Sequence, residues 1–299
     1  MRELINQLTL SSISFKLDEP MKLHTSFKTG GNASVFIVPE NEDQLEKALS
    51  ICKELNIDTF ILGNGSNLLV SDDGITDKAV IHIGSHLSAI KEIDETTFEA
   101  GAGATLSSVC RYALSKGLTG LEFAYGIPGS VGGAAFMNAG AYGGEMKDAV
   151  LCCKHISKDG VKGRFEGDEL EFSYRHSAYS ASDLVITSVV FKLKKGNKEE
   201  IESKMAELLG RRRDKQPLEY PSAGSVFKRP TGYFAGALVE QAGLKGKSIG
   251  GAMVSEKHAG FIINYGGATT KDVTELIRYC QDRVFEKFGV KLETEIRFV

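Results

Sequence analysis

The chain is expected to be an α+β protein in two parts, and three observations lead there. Apolar residues at helical spacing alternate with short apolar runs of strand length along the 299 residues. A polar KKGN hinge, Lys194 to Asn197, separates a glycine-rich N-terminal part from a C-terminal part of different pattern. The composition, 42% hydrophobic and 25% charged with a mean hydropathy of -0.12, is that of a soluble chain long enough for two cores.

Taken in order, Leu4 to Leu10 forms an amphipathic opening, and Ala33 to Pro39 reads as a strand stopped by proline. Asn41 to Leu55 follows as a helix, with Leu45, Ala48, Leu49, Cys52 and Leu55 on one face. Thr59 to Leu62 is a short strand running into the loop GNGSN, Gly63 to Asn67. From Ala79 the apolar period shortens, as in an antiparallel meander, until Thr105 caps a helix over Leu106 to Lys116. AVLCCKHIS and LVITSVVFKLK read as strands flanking the polar segment FSYRHSAYS. Beyond the hinge come helices over Glu199 to Lys215, Tyr233 to Gln241 and Lys271 to Phe288, strands near Ile249 and Phe261, and a final strand VKLETEIRFV. The expected division is therefore 1–195 and 196–299.

Several function classes fall away. A net charge of -3 and a pI of 6.1 give no nucleic-acid or anionic-membrane surface. No apolar run reaches membrane-spanning length, and MRELINQLTLSS lacks the apolar centre of a signal peptide. Five scattered cysteines without CxxC spacing fit free thiols in a reducing cytoplasm. The six histidines show neither HxxxH nor HExxH, so no metal site is expected. There is no GxSxG elbow, and chemistry without a metal or nucleophile motif points to an organic cofactor.

The stretch from Tyr125 to Asp148, YGIPGSVGGAAFMNAGAYGGEMKD, is too apolar for a linker and too broken for an ordinary core helix. Its glycines permit close approach to the backbone, and bare amides make anion nests. Two readings stand: a backbone cradle for a phosphate-bearing ligand, or a glycine-lined packing corner. GNGSN is not GxGxxG, yet with this second loop it makes two candidate grips for one pyrophosphate. Elsewhere, Arg175 lies in the polar segment SYRHSAY, Ser225 lies among small residues in SAGSVFK, and Glu295 and Arg297 alternate in LETEIRF. Singly, each also fits a surface ion pair, a turn serine or a solvated strand face.

The blocks HTSFKTGG, LGNGSNLLV, AYGIPGSVGGAAFMNAGAYGGE, FSYRHSAY, SAGSVFKRP and LETEIRFV follow one another over nearly the whole chain. In that order they resemble the UDP-N-acetylenolpyruvylglucosamine reductases of bacterial peptidoglycan synthesis. The resemblance implies an α+β FAD-binding module of the vanillyl-alcohol-oxidase type, built from two subdomains, followed by an α+β substrate-binding domain. Non-covalent FAD would be held by Gly63, Asn64, Gly65, Ser66, Asn67, Pro128, Gly129, Ser130, Gly133, Asn138 and Gly140. NADPH would reduce the flavin and leave, and the flavin N5 hydride would then add to the enolpyruvyl ether, giving UDP-N-acetylmuramate by ping-pong kinetics. By motif, Ser225 is the proton donor, while Arg175 and Glu295 hold the substrate carboxylate as charge moves into it. Tyr142, Arg211 and Lys215 resemble diphosphate contacts, and Lys228 and Arg297 complete the expected substrate set.

Lys228 is also a candidate to activate Ser225, and a protonated Glu295 would need a dry site. The interval between the arginine and serine blocks is short, which places the chain in the branch without a tyrosine-bearing insertion; Tyr179 and Tyr220 fall inside the blocks themselves. Expected partners are the UDP-sugar and NADPH, with a cytoplasmic location and a monomer slightly favoured. A flavin oxidase of the same fold and a non-catalytic nucleotide-sugar binder are the alternatives.

Overall fold

The computed structural model describes every residue from Met1 to Val299. Contacts divide the chain into two units. The first comprises Met1–Leu17, Val35–Asn64 and Asp77–Arg211; the second comprises Asp18–Ser34, Gly65–Thr76 and Arg212–Val299. The chain thus changes unit within the helix that follows the KKGN hinge, and the C-terminal unit takes in two N-terminal segments that the hinge alone does not assign to it.

Helix α1 spans Arg2–Leu10, α2 Glu42–Glu54, α3 Leu106–Ser115 and α4 Val131–Phe136. Helix α5 spans Lys198–Lys215, α6 Ala235–Gln241 and α7 Thr270–Phe288. Side-chain caps start them where the sequence places them: Asn41 accepts from Gln44 N at 2.9 Å, and Thr105 from Ser108 N at 3.1 Å. Thr269 and Asp272 form a capping box for α7, which Gly289 ends in the left-handed region at φ 68°. No helix is long and apolar enough to cross a membrane.

In the first unit, strand Lys78–His82 runs parallel to Asp58–Leu62 and to the Phe36–Ile37 part of strand Asn32–Val38. This corrects the meander expected to begin at Ala79. That strand is apolar on consecutive residues Ala79, Val80 and Ile81, all fully buried, as a strand covered on both faces requires. The antiparallel strands beyond it belong to a five-stranded sheet in the order Lys162–Glu166, Val150–Ile156, Val185–Lys192, Thr97–Gly101 and Ile90–Glu92, in which only the two edge pairs join successive strands. One continuous core joins α1, α2, α3 and α4 to both sheets, with Leu4, Leu45, Ile81, Phe98, Val131 and Phe191 at its heart.

The second unit packs α6 and α7 with a three-stranded sheet, Ser248–Ile249, Ala252–Val254 and Ile262–Asn264, around its own core. Phe27 and Leu69, from the two N-terminal segments, are fully buried in it. The expected last strand is broken: Thr294 bridges Phe227, and only Arg297–Phe298 pairs again, parallel to Leu68–Leu69.

Candidate functional site

The glycine stretch holds one short helix, the six residues of α4, and no longer one. Ser130 caps α4, accepting from Gly133 N at 3.3 Å. Val131 N donates to Ala104 O at 2.8 Å and Gly132 N to Ala102 O at 2.9 Å. A Cβ on Gly132 would stand 2.8 Å from that of Ala102. Residues 131–133 therefore form a packing corner with their amides spent, and Gly126–Ser130 ahead of them is the part left to the cradle reading. Pro128 is exposed there and Gly129 half-buried.

Gly63 leaves strand Asp58–Leu62 and meets this corner. A Cβ at Gly63 would stand 2.3 Å from Ser130 Oγ, so the two glycine loops lie side by side in the first unit and only glycine allows it. Neither GNGSN nor YGIPGSVGG carries a carboxylate, and both offer hydroxyls and amides. That donor set fits the diphosphate of a dinucleotide. The start of α7 does not, because Asp72 already accepts from Thr270 N at 2.8 Å and Lys271 N at 2.9 Å.

After α4 the chain makes a hairpin, Gly140–Ala141 against Gly144–Glu145, turned by Tyr142 and Gly143 at φ 54° and 90°. Positive φ at both turn residues is the I′ geometry, and a tyrosine there is a strained choice. Tyr142 is exposed at this tip. Asn138, expected on the cofactor, is fully buried and bonds Glu145, Ser173 and Lys147, so its side chain is spent inside the protein.

Arg175 occupies the tip of a tight turn closed by Ser173 N to His176 O and His176 N to Ser173 O, each 3.2 Å. Its φ of 56° is again left-handed, and its guanidinium lies 5.1 Å from the Tyr174 ring centroid. The segment is pinned behind the turn: Ser177 Oγ donates to Phe136 O at 2.6 Å, and the buried Tyr179 hydroxyl donates to Cys153 O at 3.1 Å. Tyr179 is thus a structural anchor. Arg211 is exposed and paired with Glu207 at 2.6 Å, as in a solvated helix.

In the second unit, Gly65 continues the GNGSN turn at φ 59°, where a Cβ would stand 2.0 Å from His24 O. Ser26 N donates to Gly65 O at 3.2 Å, and Ser26 Oγ reaches Ser222 O at 2.6 Å, three residues before Ser225. Asn67 Nδ2 donates to Glu295 O at 3.1 Å, and Arg297 N to Asn67 O at 3.0 Å. Glu295 N donates to Val226 O at 2.7 Å, beside the Phe227–Thr294 and Ser225–Phe261 bridges. Ser225, Glu295 and Asn67 are therefore neighbours, and all three, like Ser66, are half-buried.

Lys228, the candidate activator of Ser225, lies 3.4 Å from the Glu293 carboxylate, and its backbone N–H donates to Glu293 O at 2.9 Å. Arg297 and Lys215 are exposed. The linking role of Ser26 was not foreseen; its only local signal is a place in the conspicuous HTSFKTGG block. All five cysteines are free and buried, and burial pushes the Cys52 thiol up to about 11 and those of Cys110 and Cys280 up to about 12. They are inert filler. No group of three or more histidine, cysteine or acidic side chains is arranged to hold a metal.

Paired glycine loops beside a parallel sheet, with a polar cluster in a second unit, define a flavoprotein of two-domain type. Residues 33–162 match the FAD binding domain family, and residues 216–299 match the UDP-N-acetylenolpyruvoylglucosamine reductase C-terminal domain. The chain belongs to the UDP-N-acetylenolpyruvoylglucosamine reductase family. It is 52% identical to the reductase of that name from Caldanaerobacter subterraneus subsp. tengcongensis, over 95% of this chain and 93% of that one. The crystal structure of the reductase from Thermus caldophilus superposes with a TM-score of 0.81 at 37% identity, covering 96% of this chain and 98% of that one. A berberine bridge enzyme variant shares the fold of the FAD module, with a TM-score of 0.51 at 17% identity over 65% of this chain and 44% of that one. The protein is an FAD-binding oxidoreductase of peptidoglycan precursor synthesis.

Proposed function

We propose that the chain reduces the enolpyruvyl ether of UDP-N-acetylenolpyruvylglucosamine with NADPH as electron donor, giving UDP-N-acetylmuramate. The observation that carries this reading is the backbone hydrogen bond from Glu295 to Val226, 2.7 Å, which brings the Glu295 backbone to within one residue of the half-buried Ser225. Reduction of a double bond conjugated to a carboxylate needs a proton donor at the carbon next to that carboxylate. It also needs fixed donors for the charge that moves onto the carboxylate oxygens.

Bound FAD, gripped at Gly63–Asn67 and at the Gly126–Ser130 turn, supplies the hydride carrier between nicotinamide and sugar nucleotide. Ser225 supplies the proton. Arg175 pairs its planar guanidinium with the substrate carboxylate, a match that an ammonium cannot reproduce. Glu295 shares a proton with the same carboxylate as negative charge grows there. The backbone bonds to Val226 and Asn67 hold that residue in place, so little ordering remains to be done during the reaction. Tyr142, Arg211, Lys215, Lys228 and Arg297 are assigned to the UDP diphosphate and sugar. Five buried free thiols suit a cytoplasmic enzyme.

The test is anaerobic. The protein is reduced with NADPH, UDP-N-acetylenolpyruvylglucosamine is added, and flavin absorbance is followed. Return of the oxidised spectrum with formation of UDP-N-acetylmuramate is expected; a flavin that stays reduced would sink the assignment.

A further inference from the structure

Asn138 stands at the end of α4, with φ 43°. Ala139 N donates to Ala134 O at 2.8 Å and Asn138 N to Ala135 O at 3.2 Å, the paired bonds of a Schellman stop with asparagine in place of glycine. Its backbone therefore ends the helix, and its side chain does something else. Nδ2 donates to Glu145 Oε2 at 2.7 Å and to Ser173 O at 3.0 Å, which uses both amide hydrogens. Oδ1 accepts from Lys147 N at 2.9 Å. At 0% exposure no ligand reaches this amide.

Those partners belong to two functional pieces. Glu145 and Lys147 are the base of the hairpin whose tip is Tyr142. Ser173 is the base of the turn whose tip is Arg175, and its carbonyl accepts from both His176 N and Asn138 Nδ2. Ser177 and Ser180 tie the far side of the same segment to the Phe136 carbonyl at 2.6 and 3.2 Å. Asn138 thus joins the bases of the two turns.

We propose that Asn138 is a positioning residue that fastens the Tyr142 hairpin to the Arg175 turn, so that the guanidinium is held in register for the substrate carboxylate. This rests on the functional reading above, in which Arg175 acts on that carboxylate. Two left-handed non-glycine residues, Tyr142 and Arg175, keep strained backbones only where the surroundings over-determine them. The buried amide is the common support of both.

Asn138→Gly tests this most cleanly, because glycine keeps the left-handed helix stop and deletes only the side chain. In the FAD-loaded protein, flavin content and the rate of reduction by NADPH should stay within about twofold of wild type. Reoxidation by UDP-N-acetylenolpyruvylglucosamine should slow roughly 10-fold to 100-fold, the cost of about an ångström of misplacement. Amide hydrogen exchange over residues 173–176 should rise at least about tenfold, a readout independent of turnover. Combined with Arg175→Gly, the variant should add no further slowing, since both act through one group.

Asn138→Asp conserves volume should the glycine variant fail to fold. It removes both donors, and it should show the same split between half-reactions. Adding Glu145→Gln restores the hairpin link by reversing donor and acceptor but leaves Ser173 O with His176 N alone and no donor from residue 138, so reoxidation should stay slow.

Loss of flavin, equal slowing of both half-reactions, additivity with Arg175→Gly, or full rescue by Glu145→Gln would each overturn the proposal. Failure of the wild-type protein to be reoxidised would instead sink the functional reading on which it rests.

Discussion

Glu295 and Val226 share a 2.7 Å backbone hydrogen bond, and through it the glutamate is locked one residue away from Ser225. Ser225→Ala should therefore separate the two half-reactions. Reduction by NADPH should proceed near the wild-type rate, while reoxidation by the enolpyruvyl substrate should slow about 10³-fold, the usual scale for losing a positioned acid. Anaerobic stopped-flow absorbance reads both. Equal slowing of the two would make Ser225 a structural residue, because its backbone sits in the bridge to Phe261.

Arg175→Lys keeps the charge and loses the planar fork. Reoxidation should slow at least about tenfold, because an ammonium cannot make the paired donors that a carboxylate accepts. Arg175→Gly is the companion: it removes the side chain but suits the φ of 56°, so its thermal stability should stay within about 1 kcal/mol of wild type. A lysine variant with wild-type reoxidation would show that a point charge is enough.

These residues were legible in unequal degree. Helix α3 announces itself through Thr105 as cap, and α2 and α7 through apolar faces of period 3.6, while the caps Asn41 and Thr269 come from the structure. Helix α4 does not, because Val131–Phe136 is stabilised by Ala102 and Ala104 across the packing corner rather than by its own residues. The direction of strand Lys78–His82 was hidden for a similar reason, since burial on both faces removes the alternation that tells one sheet type from another.

Long-range partners leave no local trace at all. Nothing in residues 65–76 says that Leu68 will pair beside Arg297, or that Asn67 will hold the Glu295 carbonyl. Asn138 shows the same limit at the scale of one side chain. In sequence it is one polar residue in a glycine loop and reads as a ligand contact; only its burial and its bonds to Glu145, Ser173 and Lys147 reveal a brace.

His258 gives the protein an acid-sensitive joint. Burial holds its imidazole below the usual range, and its Nδ1 accepts the Gly260 N–H at 3.0 Å, a bond that protonation would abolish. The folded pKa lies below the unfolded value of about 6.5, so the unfolded chain takes up the proton first. The stability contributed is full above that pH and is lost as pH falls from it through the folded pKa. Burial lowers His155 in the same direction. Asp272, held low by the Thr269 backbone amide, titrates in a more acidic window. The melting midpoint should thus fall as the pH drops below about 6.5. Asn supplies an acceptor that does not titrate, so His258→Asn should flatten that fall; an equally steep decline would exclude His258 as a source.

The meeting of Gly63 with Ser130 offers the sharpest test of the paired loops. Gly63→Ala would put a Cβ 2.3 Å from Ser130 Oγ and 3.4 Å from its Cβ. The first distance is a severe overlap and the second an ordinary contact, so the hydroxyl alone creates the conflict. The single variant must push the GNGSN turn away from the start of α4, at a cost of about 1–3 kcal/mol for overpacking. If both loops grip one FAD diphosphate, spreading them should also weaken flavin retention, measured as the absorbance ratio at 450 and 280 nm after gel filtration. Ser130→Ala removes the hydroxyl and a helix cap, costing about 1 kcal/mol by itself. The Gly63→Ala, Ser130→Ala pair relieves the overlap, so it should retain more flavin than Gly63→Ala alone and be less destabilised than the two single effects added. Wild-type flavin retention in the Gly63→Ala single variant would mean that the loop spacing does not govern the cofactor, and simple additivity in the double would mean that the two residues do not conflict.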